Sequence, residues 1–259
     1  MPKTKKRQVK TLIYDIETSP IIGYTWGVWQ QNVIEVQEDW QILTVAWRWL
    51  GEKKVHVIGQ DDFKGYKPGV NNDKKVVQKI HELFDEADII VAHNGNSFDA
   101  KKCRARMIQH KMLPPSPYKQ IDTKVLAKRY GAFTRNSLKS LAKDLDISQK
   151  GDPGGFKTWL GCLAGDPKAW KTMKKYNVMD IPPLEELYMN FLPWITNHPN
   201  AGTTLQNHGI CPKCESDRLQ KRGFNTKAAG KVQRYQCQNC GGWCSEASVR
   251  KKGRVVNAN

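Results

Sequence analysis

The residues whose types and spacing could do chemistry are a few acids spread along the chain and a block of cysteines near its C-terminus. Asp15 and Glu17 stand two apart in LIYDIETSP, residues 12–20. With a period of two, Leu12, Tyr14 and Ile16 face one way and Ile13, Asp15 and Glu17 the other. Both faces start apolar, as in a strand covered on both sides. Two like charges entering an interior are costly unless something positive meets them. The pair therefore either emerges into solvent at the sheet edge or holds a cation. Asp99 ends VAHNGNSFD, where an apolar run gives way to a Gly/Asn turn and then to a helical pattern. An acid in a first helical turn favours the dipole and can cap backbone N–H groups. The same place is also one end of an α/β sheet, where ligands bind. Asp180 interrupts an apolar stripe: Trp170, Met173, Tyr176, Asp180, Leu184 and Leu187 recur at spacings of three or four on one helical face. Tyr118 and Asp122 repeat the Tyr176–Asp180 spacing, but in a loop-to-strand region where a separation of four does not align side chains, so they are set aside.

Of seven cysteines, Cys103 and Cys162 are isolated, whereas Cys211, Cys214, Cys237, Cys240 and Cys244 lie within 34 residues. Clustered CxxC pairs without an export signal read as a metal site rather than as disulfides. Two such knuckles, 22 residues apart, would close a tetrahedral thiolate site around one structural Zn²⁺ through Cys211, Cys214, Cys237 and Cys240, with Cys244 as a substitute for Cys240. About 36 residues hold too little core to fold without that staple.

The elements that must position these groups follow from periodicity. The strand at 12–17 is followed by an aromatic, loop-like stretch, IIGYTWGVWQQNVIEVQEDW, then by QILTVAWRWL and VHVIG as a hairpin around GEKK. In the aromatic stretch, Tyr24, Trp26 and Trp29 are expected to fill a hairpin core, with base stacking as the alternative. DKKVVQKIHELFDEA places Val76, Val77, Ile80, Leu83 and Phe84 at helical spacing. DIIVA and KQID read as further strands, and helices follow. The order gives an α/β domain with a mixed sheet whose first three strands form a meander. Pro182 and Pro183 are expected to end or kink the last helix near Ile181. The organisation expected is a basic tail (1–10), the α/β domain (11–197), a polar linker (198–210), the cysteine module (211–246) and a second basic tail (247–259).

DIET at Asp15–Thr18, HNGNSFD ending at Asp99 and YNVMD from Tyr176 to Asp180 resemble the three motifs of the DEDD-type exonucleases, ribonuclease H-like nucleases that include polymerase proofreading domains. Tyrosine four residues before the last aspartate matches the DEDDy branch, and the resemblance covers roughly residues 11–195 with motif separations of 84 and 81 residues. It implies a ribonuclease H-like mixed sheet flanked by helices. It also implies 3′→5′ hydrolysis of single-stranded nucleic acid, DNA ahead of RNA, with two Mg²⁺ or Mn²⁺ ions. Carried over by position, Asp15 bridges both ions, Glu17 and Asp180 complete the first site and Asp99 the second. Tyr176 orients the attacking water; a phenol, with a reference pKa of about 10, is a poor base unaided. Thr18, Asn94 and Phe98 match positions that approach substrate in relatives. Residues 211–246 resemble the zinc ribbons of transposases and related DNA-binding proteins. Lys221, Arg222 and Arg234, together with Lys227 and Lys231, would contact phosphates there; protein docking is the alternative role for the ribbon.

Composition agrees. The net charge of +17 points to a polyanionic partner, and residues 201–259 hold 11 Lys and Arg against 3 Asp and Glu. No apolar run approaches a membrane span, and the basic N-terminus lacks the apolar segment of a secretory signal. The expected location is the cytoplasm of a bacterial or phage-infected cell. Two other functions stay open: a catalytically inactive nucleic-acid-binding adaptor on the same fold, and a structure-specific endonuclease.

Overall fold

A computed structural model describes residues 8–29, 31–68, 70, 72–148, 154–201, 209–228 and 230–245. Both expected basic tails therefore lie largely or wholly outside the described residues, as does most of the expected linker. The chain forms two compact units, one of Lys10–Leu187 and one of Tyr188–Asn259 with Met1–Val9.

The larger unit is built on a mixed five-stranded sheet. Its strands are β1 (Thr11–Thr18), β4 (Ile42–Trp49), β5 (His56–Gly59), β6 (Ile89–Ala92) and β7 (Lys119–Asp122), in the order β5-β4-β1-β6-β7. β1 runs antiparallel to β4 and parallel to β6, and β6 is parallel to β7. This is the meander read from the sequence, continued by two parallel strands. Between β1 and β4 the chain makes a separate hairpin, β2 (Ile22–Tyr24) and β3 (Glu35–Glu38).

Leu12, Tyr14 and Ile16 pack with Val76, Val77, Ile80, Leu83 and Phe84 of helix α1 (Lys74–Glu86) and with Cys103 and Met107 of helix α2 (Asp99–Gln109) in one core cluster. All five α1 residues are those at helical spacing in the sequence. At about 1.5–3 kcal/mol per buried side chain, they contribute gross stabilisation on the order of 10 kcal/mol. Tyr14 meets Phe84 edge-on, with ring centroids 5.0 Å apart, and burial pushes its phenol well above the usual range. Asp73, fully buried just before α1, ties three elements together. It accepts the Ile42 backbone N–H at 3.0 Å, two guanidinium bonds from Arg106 at 2.6 and 2.7 Å, and lies 2.6 Å from His110 Nε2.

After α3 (Thr123–Tyr130), α4 (Leu138–Asp144) and α5 (Lys157–Leu163) comes α6 (Pro167–Phe191). The apolar stripe is buried as its spacing predicts, with Trp170, Met173, Tyr176, Leu184 and Leu187 all in the core. Of the expected end or kink near Ile181, the end does not occur: α6 is a single 25-residue helix with both prolines inside it. Each proline removes one backbone donor. Burial of Ile181, Leu184 and Leu187 holds the helix together across the gap.

A second expectation is also corrected. The hairpin of β2 and β3 has no core of its own. Tyr24, Trp26 and Trp29 are 58%, 89% and 84% exposed. With a three-residue and a four-residue strand, the hairpin is too short to enclose three aromatic rings.

In the smaller unit, β8 (Leu219–Lys227), β9 (Gly230–Cys237) and β10 (Trp243–Ser245) form an antiparallel sheet in the order β10-β9-β8. Part of the segment read as linker is packed here: His198 lies against Tyr188, its Nε2 2.8 Å from the phenol oxygen.

Candidate functional site

Three of the four acids, Asp15, Glu17 and Asp180, converge where β1 ends, and Asp99 is not part of that cluster. Asp15 and Glu17 lie on the face of β1 opposite Leu12, Tyr14 and Ile16, so α6 rather than α1 meets them. A carboxylate oxygen from each of Asp15, Glu17 and Asp180 falls within 4.8 Å of the others. Asp180 is buried, while Asp15 and Glu17 are partly exposed. The ladder between β1 and β4 slips directly after Glu17, between Glu17 and Thr18. Such bulges re-aim side chains at strand ends, and Thr18 lies partly buried at this one.

Asp99 reaches the same strand from the other side. Its Oδ1 accepts the backbone N–H of Ile16, between Asp15 and Glu17, at 3.4 Å, and the residue is 2% exposed. A built turn delivers it. Asn94 takes a positive φ of 69°, which Asn tolerates, and a side chain on Gly95 would strike Ala92. The N–H groups of Asn94 and Asn96 donate to the two oxygens of Asp122 at 2.9 and 3.0 Å, and Asp122 also caps α3 through Lys124 and Val125. Asp122 thus holds the turn between β6 and α2. Phe98, next to Asp99, is 38% exposed, and the Lys102 ammonium lies 5.0 Å from its ring and 3.6 Å from that of Trp40. Burial lowers the pKa of Lys102.

Tyr176 sits one helical turn before Asp180, 8% exposed, with its ring edge-on to Trp159 at 6.3 Å. Between them the helix presents a residue that the sequence reading missed. Asn177 is fully buried; its amide donates to Asp15 Oδ2 at 2.7 Å and to the Asp15 carbonyl at 3.3 Å. Its carbonyl accepts the hydroxyl of Thr44, also fully buried, at 2.9 Å. The amide can point only one way, because a carboxylate cannot donate and the threonine hydroxyl can. A signal was present: Asn177 is four residues after Met173 and three before Asp180, a second polar position on a buried stripe.

The donor set suits a hard cation. Carboxylate oxygens are the ligands that Mg²⁺ and Mn²⁺ prefer. Two oxygens on opposite sides of one such ion stand about 4.2 Å apart, so the three acids here are within small side-chain adjustments of ligation.

A second cluster lies in the smaller unit. Sγ atoms of Cys211, Cys214, Cys237 and Cys240 fall within 4.8 Å of one another. Cys211 and Cys240 are 3.8 Å apart, Cys214 and Cys237 3.6 Å. A tetrahedral Zn²⁺ with bonds of about 2.3 Å requires S···S separations of about 3.8 Å. Each CxxC is a tight turn: Glu215 N–H bonds Cys211 C=O at 3.0 Å, and Gly241 N–H bonds Cys237 C=O at 2.9 Å with Gly241 at φ +73°. Hydrogen bonds from the Cys211 and Cys240 thiols hold Cys214 far below the ordinary thiol range, and the same network pushes Cys211 and Cys240 above it. Asn239 donates to the sulfurs of Cys237 and Cys214 at 3.4 and 3.6 Å. Cys244 stays outside the cluster, its thiol raised by burial. Lys221, Arg222 and Arg234 are exposed on β8 and β9; the Lys227 side chain lies outside the described residues. Among the described residues no helix is long and apolar enough to cross a membrane.

No curated protein matches the chain. Among solved structures that match is the family B DNA polymerase from the hyperthermophilic archaeon Pyrobaculum calidifontis. The likeness has 16% identity and a TM-score of 0.54, and covers 73% of this chain and 25% of that one. It is a likeness of fold, and this chain spans a quarter of the polymerase's length. The model of the RNase_H superfamily matches residues 12–192, a span that takes in β1, α2 and α6 and every acid of the site. By that match, this chain belongs to the RNase_H superfamily.

Proposed function

We propose that this protein is a metal-dependent nuclease of the DEDDy type, which hydrolyses single-stranded nucleic acid from its 3′ end, DNA ahead of RNA. The observation that carries the reading is the approach of Asp15, Glu17 and Asp180 within 4.8 Å, with Asp99 bonded to the strand between the first two. Membership of the superfamily supports nuclease activity in general terms, and the acid set supports the finer reading.

Asp15, Glu17 and Asp180 would hold one divalent ion, and Asp15 with Asp99 a second. When bound, the pair supplies positive charge to the attacking water and to the departing oxygen of the phosphodiester. The chain's own residues set the geometry. Asn177 fixes the plane of the Asp15 carboxylate from behind, and the bulge after Glu17 aims the second acid. Tyr176, held by Trp159, would orient the attacking water by a hydrogen bond. Phe98 and Asn94, in the segment that leads to Asp99, would contact the substrate strand. In the smaller unit, Cys211, Cys214, Cys237 and Cys240 would hold a structural Zn²⁺, and Lys221, Arg222 and Arg234 would add phosphate contacts.

The test incubates 5′-labelled single-stranded DNA and RNA with Mn²⁺ or EDTA, beside Asp15→Ala and Asp180→Asn. A ladder shortening from the 3′ end, lost with EDTA and in both variants while binding persists, is expected. Intact substrate in every lane, from protein that still shifts it on a gel, overturns the reading in favour of a binding adaptor. Cleavage of a closed single-stranded circle overturns it in favour of an endonuclease.

A further inference from the structure

The smaller unit carries a cleft that neither the acids nor the cysteine cluster uses. It encloses about 370 Å³ and is lined by Thr196, His198, Asn200, Lys213, Arg234 and Trp243 among others. Its floor is the face of the three-stranded sheet. Pairing of Trp243 with Gln236 and of Ser245 with Arg234 puts Arg234 diagonally across from Trp243 on that face. The Arg234 guanidinium carbon accordingly lies 5.4 Å from the indole centroid, while Trp243 stays 49% exposed. Lys213, from the first CxxC turn, brings a second cation, its ammonium anchored to the Pro193 carbonyl at 2.6 Å. Among the described residues, no carboxylate lines the cleft. His198 adds an imidazole whose pKa is lowered, chiefly by burial.

Two cations and an exposed indole select a ligand that is anionic and has a flat face. We propose that this cleft holds one nucleotide of a single strand, its base stacked on Trp243 and its phosphate beside Arg234 and Lys213. The volume lies near the lower end of the range for small-ligand sites, about 300–1,000 Å³, room for a splayed nucleotide but not for a duplex. An acidic peptide would satisfy the cations and leave the indole without a stacking partner. The inference rests on the nucleic-acid reading above and adds a second point of attachment for the strand, on the smaller unit.

The test uses the full chain without added Mg²⁺ or Mn²⁺, with a fluorescein-labelled 12-nucleotide single strand of mixed sequence and, in parallel, an abasic strand of the same length. Stacking on an aromatic side chain is worth about 1–3 kcal/mol per base. Trp243→Leu is therefore expected to weaken binding of the mixed strand by about 5- to 150-fold. It should leave the abasic strand within about 2-fold, and Trp243→Phe should retain most of the affinity. Arg234→Gln should lower the salt dependence by about 0.7 in the log–log slope for a single strand. Zinc content per chain reports whether each variant keeps its fold; should Trp243→Leu lose zinc, Trp243→Phe and Arg234→Gln decide. Zinc-replete Trp243→Leu that binds the mixed strand like the parent overturns the cleft, as does equal weakening toward the abasic strand. A parent that binds neither strand overturns the cleft, while the nuclease is judged separately by cleavage with Mn²⁺. One that binds in this Trp243-dependent way but never cleaves with Mn²⁺ sinks the nuclease alone.

Discussion

Replacing Asn177 with alanine removes three bonds at the base of the acid site, of which the two shorter set the energetics. One is a charge-assisted bond to Asp15 Oδ2 at 2.7 Å, the other the acceptor for the buried Thr44 hydroxyl at 2.9 Å. A hydrogen bond to a charged group contributes about 1.5–3 kcal/mol, and a stranded buried hydroxyl costs about 1–3 kcal/mol. Together they set the expected loss of stability at about 2–4 kcal/mol, because water reaches partly exposed Asp15 and offsets some of it. The larger consequence is kinetic. Without the amide, the Asp15 carboxylate can rotate, and groups that orient a metal ligand typically carry about 10- to 100-fold in metal affinity or activity. The assay is initial cleavage rate against Mg²⁺ and Mn²⁺ concentration at saturating oligonucleotide. The half-saturating metal concentration should rise about 10- to 100-fold while KM for the oligonucleotide stays put, since Asn177 does not reach the substrate. Thr44→Val, which removes only the outer bond, should show a smaller shift in the same direction. Asn177→Asp sets two carboxylates against each other and raises the pKa of one. The proton they share restores a donor at low pH and is lost as pH rises through that raised value. Its activity relative to the parent should therefore fall with rising pH. A folded Asn177→Ala protein with the parental metal dependence would refute the positioning argument.

Two further predictions concern what holds each unit together. Arg106→Leu leaves fully buried Asp73 without its bidentate partner, and breaking a buried pair costs about 3–5 kcal/mol. At about 2–4 °C per kcal/mol for a unit of this size, calorimetry should show Tm lower by about 6–20 °C, and a drop under 2 °C contradicts the role given to Asp73. The chain should carry about one zinc ion, released by a mercurial reagent and lost in Cys211→Ser. Elemental analysis of Cys244→Ser should find the ion retained, and its loss there would mean that the four ligands are wrongly identified.

Much of the site was legible because two periodicities are rigid. A strand repeats every two residues, so Asp15 and Glu17 had to share a face once Leu12, Tyr14 and Ile16 were assigned to the core. A helix repeats every 3.6, so Asp180 had to lie on the stripe of Trp170, Met173 and Tyr176. The CxxC knuckles are local as well, and their spacing alone named four sulfurs that the fold brings within 4.8 Å.

What only the tertiary structure decided depends on partners distant in the chain. Asn177 and Thr44 are 133 residues apart, Asp99 and Ile16 83, and no local pattern pairs them. Asp122 follows Tyr118 at the spacing by which Asp180 follows Tyr176, yet its carboxylate goes to backbone N–H groups of the turn at 94–96. The prolines after Asp180 carry a strong local preference against helix, and burial of the surrounding apolar residues overrides it. Trp26 and Trp29 read as core by residue type and stand in solvent, because burial requires a second layer that a short hairpin cannot supply. The sequence by itself thus determined which residues could act and which face of its element each occupies. The packing of β1, α2 and α6 decided which of them meet, since a contact between elements is a property of their joint geometry and not of either pattern alone.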